Sequence, residues 1–173
     1  MAAGLPDLVD CSQLAAAAAV VERVYELGEL QRLGDLLADP RGTVSARFAF
    51  AKLASGRPGA KVAVDAAPIL ICQRCMQDFA LHVNGGSELE FTANAAVDAA
   101  ESARELVEMK SGLVSLRELA EEELLLALPI APACSTPMTC GKAPGYATAM
   151  APAGAADDMR RPFGALKDLL KKT

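Results

Sequence analysis

Tryptophan is missing altogether and aromatic residues make up only 4% of the 173-residue sequence, so the interior has few large rings to organise it. Much of the 52% hydrophobic content is alanine, which leaves Leu, Val and Ile to build the core. Histidine is almost absent too. The one copy, His82, falls at an even position in a stretch whose odd positions are apolar, which predicts a solvent-facing strand residue rather than a general base. Neither a phosphate-cradling P-loop nor a dinucleotide fingerprint occurs, and no two carboxylates stand apart as a matched acid and base. These absences point away from an enzyme.

Positive charge is also in short supply. A net charge of -5 excludes a protein that coats nucleic acid nonspecifically, because such binding needs many Lys and Arg side chains to displace phosphate counterions. Any RNA contact must be local, and the cations are concentrated at the C-terminal end, where Arg160, Arg161, Lys167, Lys171 and Lys172 face a single acid, Asp168. No apolar run approaches the roughly 20 residues that cross a bilayer, so no membrane anchor is expected. The run from Leu14 to Val21 follows Asp7 and Asp10, has no basic residue before it and is closed by Glu22 and Arg23, which reads as helix rather than a secretory signal. The expected compartment is the cytoplasm. In that reducing setting five cysteines point to metal ligation or free thiols before disulfides.

The length suits one ordinary domain. The pattern predicts a single α+β domain over residues 1–140, a flexible linker over 141–160 that is rich in Ala, Gly and Pro, and a short basic amphipathic tail over 161–173. Within the domain, N-terminal helices are expected over 12–38. The first rests on Leu14, Ala18, Val21 and Tyr25, which share a helical face up to Glu26; the second rests on Leu30, Leu33, Leu36 and Leu37 and ends at Pro40.

An antiparallel twisted sheet of three to five strands is expected over 43–110. Val44, Ala46, Phe48 and Phe50 alternate with smaller or polar residues as in a half-buried strand, and Ser55–Gly59 is a turn cluster. Val62, Val64 and Ile69–Ile71 make its antiparallel partner. Phe79, Leu81, Val83, Leu89 and Phe91 all fall on odd positions, predicting one long strand bent or bulged at Gly85 and Gly86, with a tight hairpin there as the alternative. Residues 95–104 read as a connection and Glu105–Met109 as a short further strand. Ser115 with Glu118 is a capping box that starts a leucine-rich helix over 115–128, stopped by Pro129; Glu121–Glu123 are expected on its solvated side.

Chemistry is carried by cysteine. Cys72 and Cys75 form C-x-x-C at the end of an apolar strand, and Cys134 and Cys140 form a looser pair after the helix stop. Four thiolates can surround zinc tetrahedrally if the fold unites the pairs. The spacing leaves two other readings open: unrelated thiols acting as small hydrophobes, and a thiol oxidoreductase, for which no helix N-terminus is predicted beside Cys72 to activate it. Cys11, isolated from the others, reads as structural or incidental.

The ordered set Cys72-Gln73-Arg74-Cys75, Phe79, the stretch LAEEELLLALPIAP ending at Pro132, Cys134, Cys140, and the Arg-Pro-Phe-Gly-Ala-Leu segment from Arg161 resembles the YceD-like family. The resemblance covers about residues 44–140 and the tail; it departs at Cys134, where the family more often carries histidine, itself a zinc ligand. It implies a non-enzymatic factor in the production, processing or accumulation of 23S ribosomal RNA and in large-subunit assembly. The implied partner is a 23S precursor or a large-subunit assembly intermediate, met by Arg74 near the cysteines and by Arg160, Arg161, Phe163, Lys167, Lys171 and Lys172 of the tail. The alternative is a zinc-stabilised protein-interaction module whose C-terminal helix docks on a partner protein through Phe163, Leu166 and Leu169.

Overall fold

The computed structural model describes residues 7–94, 104–135 and 140, which form a mostly-sheet α+β fold with two α-helices among the described residues. The expected linker and tail, residues 141–173, and the connection over 95–103 lie outside them.

The main sheet has five strands in the order β2 (Val20–Glu26), β4 (Thr43–Lys52), β5 (Pro58–Ala66), β8 (Val83–Thr92) and β9 (Glu105–Glu108). Alternation dictates its two faces. Val44, Ala46, Phe48 and Phe50 of β4, Val62 and Val64 of β5, and Leu89 and Phe91 of β8 are buried on one side, while Glu22, Arg47, Lys61 and Asp65 are exposed. Helices α1 (Cys11–Ala16) and α2 (Leu116–Ala127) cover the apolar side. Three phenylalanine rings sit together there: Phe50 stacks at 6.5 Å on Phe48 and at 6.1 Å on Phe91. A three-stranded sheet, β3 (Leu37–Asp39), β6 (Ile69–Ile71) and β7 (Asp78–Ala80), stands beside it. Finally, β1 (Leu8–Asp10) pairs with β10 (Leu113–Ser115) next to the start of α2.

The helix expected up to Glu26 ends at Ala16, and Val20–Glu26 is an edge strand whose register runs from Val20 opposite Ala49 to Glu26 opposite Thr43. Its β-branched residues satisfy a period of two as well as the helical spacing, and pairing with β4 decides between them. Ala18, at φ 47°, makes the turn between the two elements. The second expected helix is replaced by two 3-10 turns, Leu27–Glu29 and Gly34–Leu36, followed by β3. Leu27, Leu30 and Leu33 are buried at intervals of three, but Leu36 is exposed.

Ile69–Ile71 does not continue β5. Pro68 supplies no amide to a ladder, and the chain leaves for the smaller sheet. The long strand expected over 79–91 is broken at Leu81–His82 rather than at the glycines, and the hairpin alternative is excluded. Gly85 and Gly86 keep an unbroken register against Val64 and Ala63, without a bulge. The sheet is mixed rather than purely antiparallel, because β9 runs parallel to β8. Helix α2 begins as the capping box predicts, with the Glu118 amide donating to Ser115 Oγ at 3.2 Å, and Leu128 closes it by donating to the Leu124 carbonyl. Its acidic run is not solvated as expected: Glu121 and Glu123 are buried, and only Glu122 is substantially exposed.

Candidate metal centre

The site is assembled from a hairpin and a returning chain. Strand β6 delivers Cys72 into a tight turn, β7 pairs back with Ile71 opposite Asp78, and the Cys72 amide donates to the Gln77 carbonyl at 2.9 Å. Met76, at φ 57°, donates its amide to the Cys72 carbonyl and completes the turn that aims Cys75 toward Cys72. From the other direction, Pro129 ends α2 and residues 129–134 run past the hairpin. The Gln73 amide donates to the Pro132 carbonyl at 2.8 Å, the Arg74 guanidinium donates to the Cys134 carbonyl, and the Cys134 amide donates to Cys72 Sγ at 3.3 Å.

The two cysteine pairs therefore meet. Cys72 Sγ lies 3.7 Å from Cys140 Sγ, Cys75 Sγ lies 3.9 Å from Cys134 Sγ, and all four sulfurs are within 4.8 Å of one another. Sulfurs at the corners of a tetrahedron with metal–sulfur bonds of about 2.3 Å are about 3.8 Å apart, so the two closest pairs already have the spacing that zinc imposes. Cys72 and Cys75 are buried and Cys134 and Cys140 half-buried, which gives a closed, all-sulfur donor set that could hold a metal ion.

Electrostatics divides the four thiols. The Cys134 amide, helped by the amides of Cys75 and Arg74 and the Cys75 thiol, holds Cys72 down to about 5 against the opposing effect of burial. The Gln77 amide lowers Cys75, but burial and the Cys72 and Cys134 thiols outweigh it and leave Cys75 raised. Burial and the neighbouring thiols push Cys140 up to about 12. One thiolate is thus stabilised by the protein alone, and further negative charge on this cluster calls for a cation. The activating amide of Cys134 was not foreseeable from a motif, since it comes from 62 residues away in sequence. Full burial of the Cys72 sulfur suits ligation better than exchange with an external disulfide.

The family model for the large ribosomal RNA subunit accumulation protein YceD matches residues 60–170. The chain belongs to the YceD family. The matched span takes in all four clustered cysteines and most of the C-terminal tail, and the family name ties the chain to accumulation of large-subunit ribosomal RNA. No match was found among curated proteins or among solved structures.

Arg74 is exposed at the cysteine turn, with one donor committed to the Cys134 carbonyl. Arg160, Arg161, Phe163, Lys167, Lys171 and Lys172 lie outside the described residues. Cys11 is fully buried at the start of α1, capped by Asp10, and burial together with the Asp10 charge pushes its thiol up to about 12, consistent with an inert packing role. His82 is exposed and lies 3.2 Å from Asp65. No helix among the described residues is long and apolar enough to cross a membrane.

Proposed function

We propose that this YceD-family chain is a cytoplasmic, non-enzymatic factor that supports 23S ribosomal RNA accumulation by binding a ribosomal RNA precursor or a large-subunit assembly intermediate. The family match over residues 60–170 carries this reading. In it, Cys72, Cys75, Cys134 and Cys140 hold a structural zinc ion, favoured by the sulfur spacing and the closed donor set. Zinc fixes the β6–β7 turn to the chain after α2 and so presents Arg74 at the surface. The tail cations Arg160, Arg161, Lys167, Lys171 and Lys172 supply local phosphate contacts from an otherwise acidic protein.

Two measurements test the two halves. Protein purified without added metal should contain stoichiometric zinc, which Cys134→Ser or Cys140→Ser removes together with a fall in melting temperature; metal-free protein with the same fold rejects the centre. Affinity capture of the full chain from cells should enrich 23S precursors or large-subunit proteins. Enrichment of one protein unrelated to ribosomes would favour an interaction module instead.

A further inference from the structure

Beside the cysteine cluster lies an apolar groove of about 340 Å³, lined by Leu36, Leu70, Ile71, Leu125, Leu128 and Ile130. Leu36 is 51% exposed and Ile130 fully exposed, so aliphatic side chains stand uncovered at the groove, with Asp35 and Gln73 as its polar lining.

We propose that the chain's own C-terminal segment docks in this groove, with Phe163, Leu166 and Leu169 as the inserting side chains. The tether comes first. Cys140 Sγ is 3.7 Å from Cys72 Sγ, and the residues flanking Cys72 in sequence, Ile71 and Gln73, line the groove, so Cys140 anchors the chain that follows it close to the groove. Phe163 is 23 residues further on. A chain of that length, if it spans as a random coil, would reach about 25 Å, enough to bring the segment to the groove and to hold it there at roughly millimolar effective concentration. The chemistry also matches. Phe163, Leu166 and Leu169 recur every third residue, the spacing that presents an apolar stripe, and five cations lie among and around them. The groove carries Asp35 and no Lys or Arg among its lining residues. Docking through the apolar side chains does not use the charges of Arg160, Arg161 or the lysines. The inference needs the groove and the tether, and depends on neither RNA nor zinc binding.

The test uses the full chain with the photoreactive residue p-benzoylphenylalanine at position 163, irradiated at a concentration where the protein is monomeric, with mass-spectrometric mapping of the products. Expected are crosslinks within one chain to Leu36, Ile71 or residues 125–132, and a several-fold lower yield when Ile130→Glu places a charge at the groove mouth. Ile130 is fully exposed, so this substitution spares the fold, and zinc content and circular dichroism check that. Crosslinks confined to other surfaces, crosslinks between two copies, or a yield indifferent to Ile130→Glu would each overturn the proposal. Groove crosslinks in metal-free protein would leave docking standing while the zinc reading falls; full zinc with crosslinks elsewhere would do the reverse.

Discussion

Glu121 and Glu123 stand two apart on α2 and are buried for different purposes. Glu121 Oε1 accepts from the amides of Arg32 and Leu33 at 2.6 and 3.1 Å, which ties the loop between the two 3-10 turns to the helix. Glu123 accepts from the Ser87 hydroxyl, and burial, with the charges of Glu105 and Glu122, raises its pKa above the ordinary 4.5 despite that hydrogen bond. A raised carboxyl pKa means that the folded protein holds this proton more tightly than the unfolded chain. Its contribution therefore favours folding below about pH 4.5 and is lost as pH rises through the folded value. Glu123→Gln should remove that component: urea midpoints measured from pH 4 to 8 should decline less with pH in the variant, which should be at least as stable as the parent at pH 8. A variant whose pH profile superimposes on the parent's would show that the carboxyl is not disfavoured by its surroundings. Nothing in the triplet Glu121-Glu122-Glu123 distinguishes its members, because which acid is solvated depends on what α2 packs against.

Between elements, the glycines of β8 mark two close approaches. A Cβ on Gly85 would stand 2.7 Å from the Ala127 Cβ of α2, and one on Gly86 would collide with the Val62 carbonyl of β5. The glycines thus let a helix and a neighbouring strand approach the backbone, which is why they occupy a strand interior that usually disfavours them. Gly85→Val should displace the end of α2 and cost about 1–3 kcal/mol of stability in denaturant unfolding, with the overpacked helix as the cause. Because Pro129 and Cys134 follow within seven residues of Ala127, the variant should also weaken the zinc binding proposed above. The same elements mark what local sequence could reveal. Strands β4 and β5, the Ser115 cap and the Pro129 stop were legible because alternation, turn residues and caps act within a few neighbours. Strand β2 was not, since the valines of Val20–Glu26 fit two periods and only pairing with β4 selects one. The parallel partner β9 was equally hidden, because strand direction is a property of the connection. The four cysteines were legible as candidates, but their meeting required the β6–β7 turn and the exit of α2 to converge.

Across the whole molecule charge is unevenly placed: a net -5 chain gathers five cations within its last fourteen residues. If these contact phosphates, RNA affinity should fall steeply with salt. Replacing Arg160, Arg161, Lys167, Lys171 and Lys172 by Gln should reduce the slope of log K against log salt by up to about 4, with the fold unchanged by circular dichroism. An unaltered slope would assign phosphate contact elsewhere. Long-range closure is the other property of this scale. Leu8–Asp10 pairs with Leu113–Ser115, Arg117 bonds Asp7 at 2.9 Å, and the Leu116 amide donates to the Asp7 carbonyl. The chain's first described strand therefore has no partner until residues more than a hundred positions later have been made. At the usual 5–20 residues per second of translation, that is a wait of roughly 5–20 s after Leu8 emerges, during which Val9 has no strand to join. The nascent protein can begin its central hairpin early, but Leu8–Asp10 must stay unpaired until Leu113–Ser115 has been synthesised.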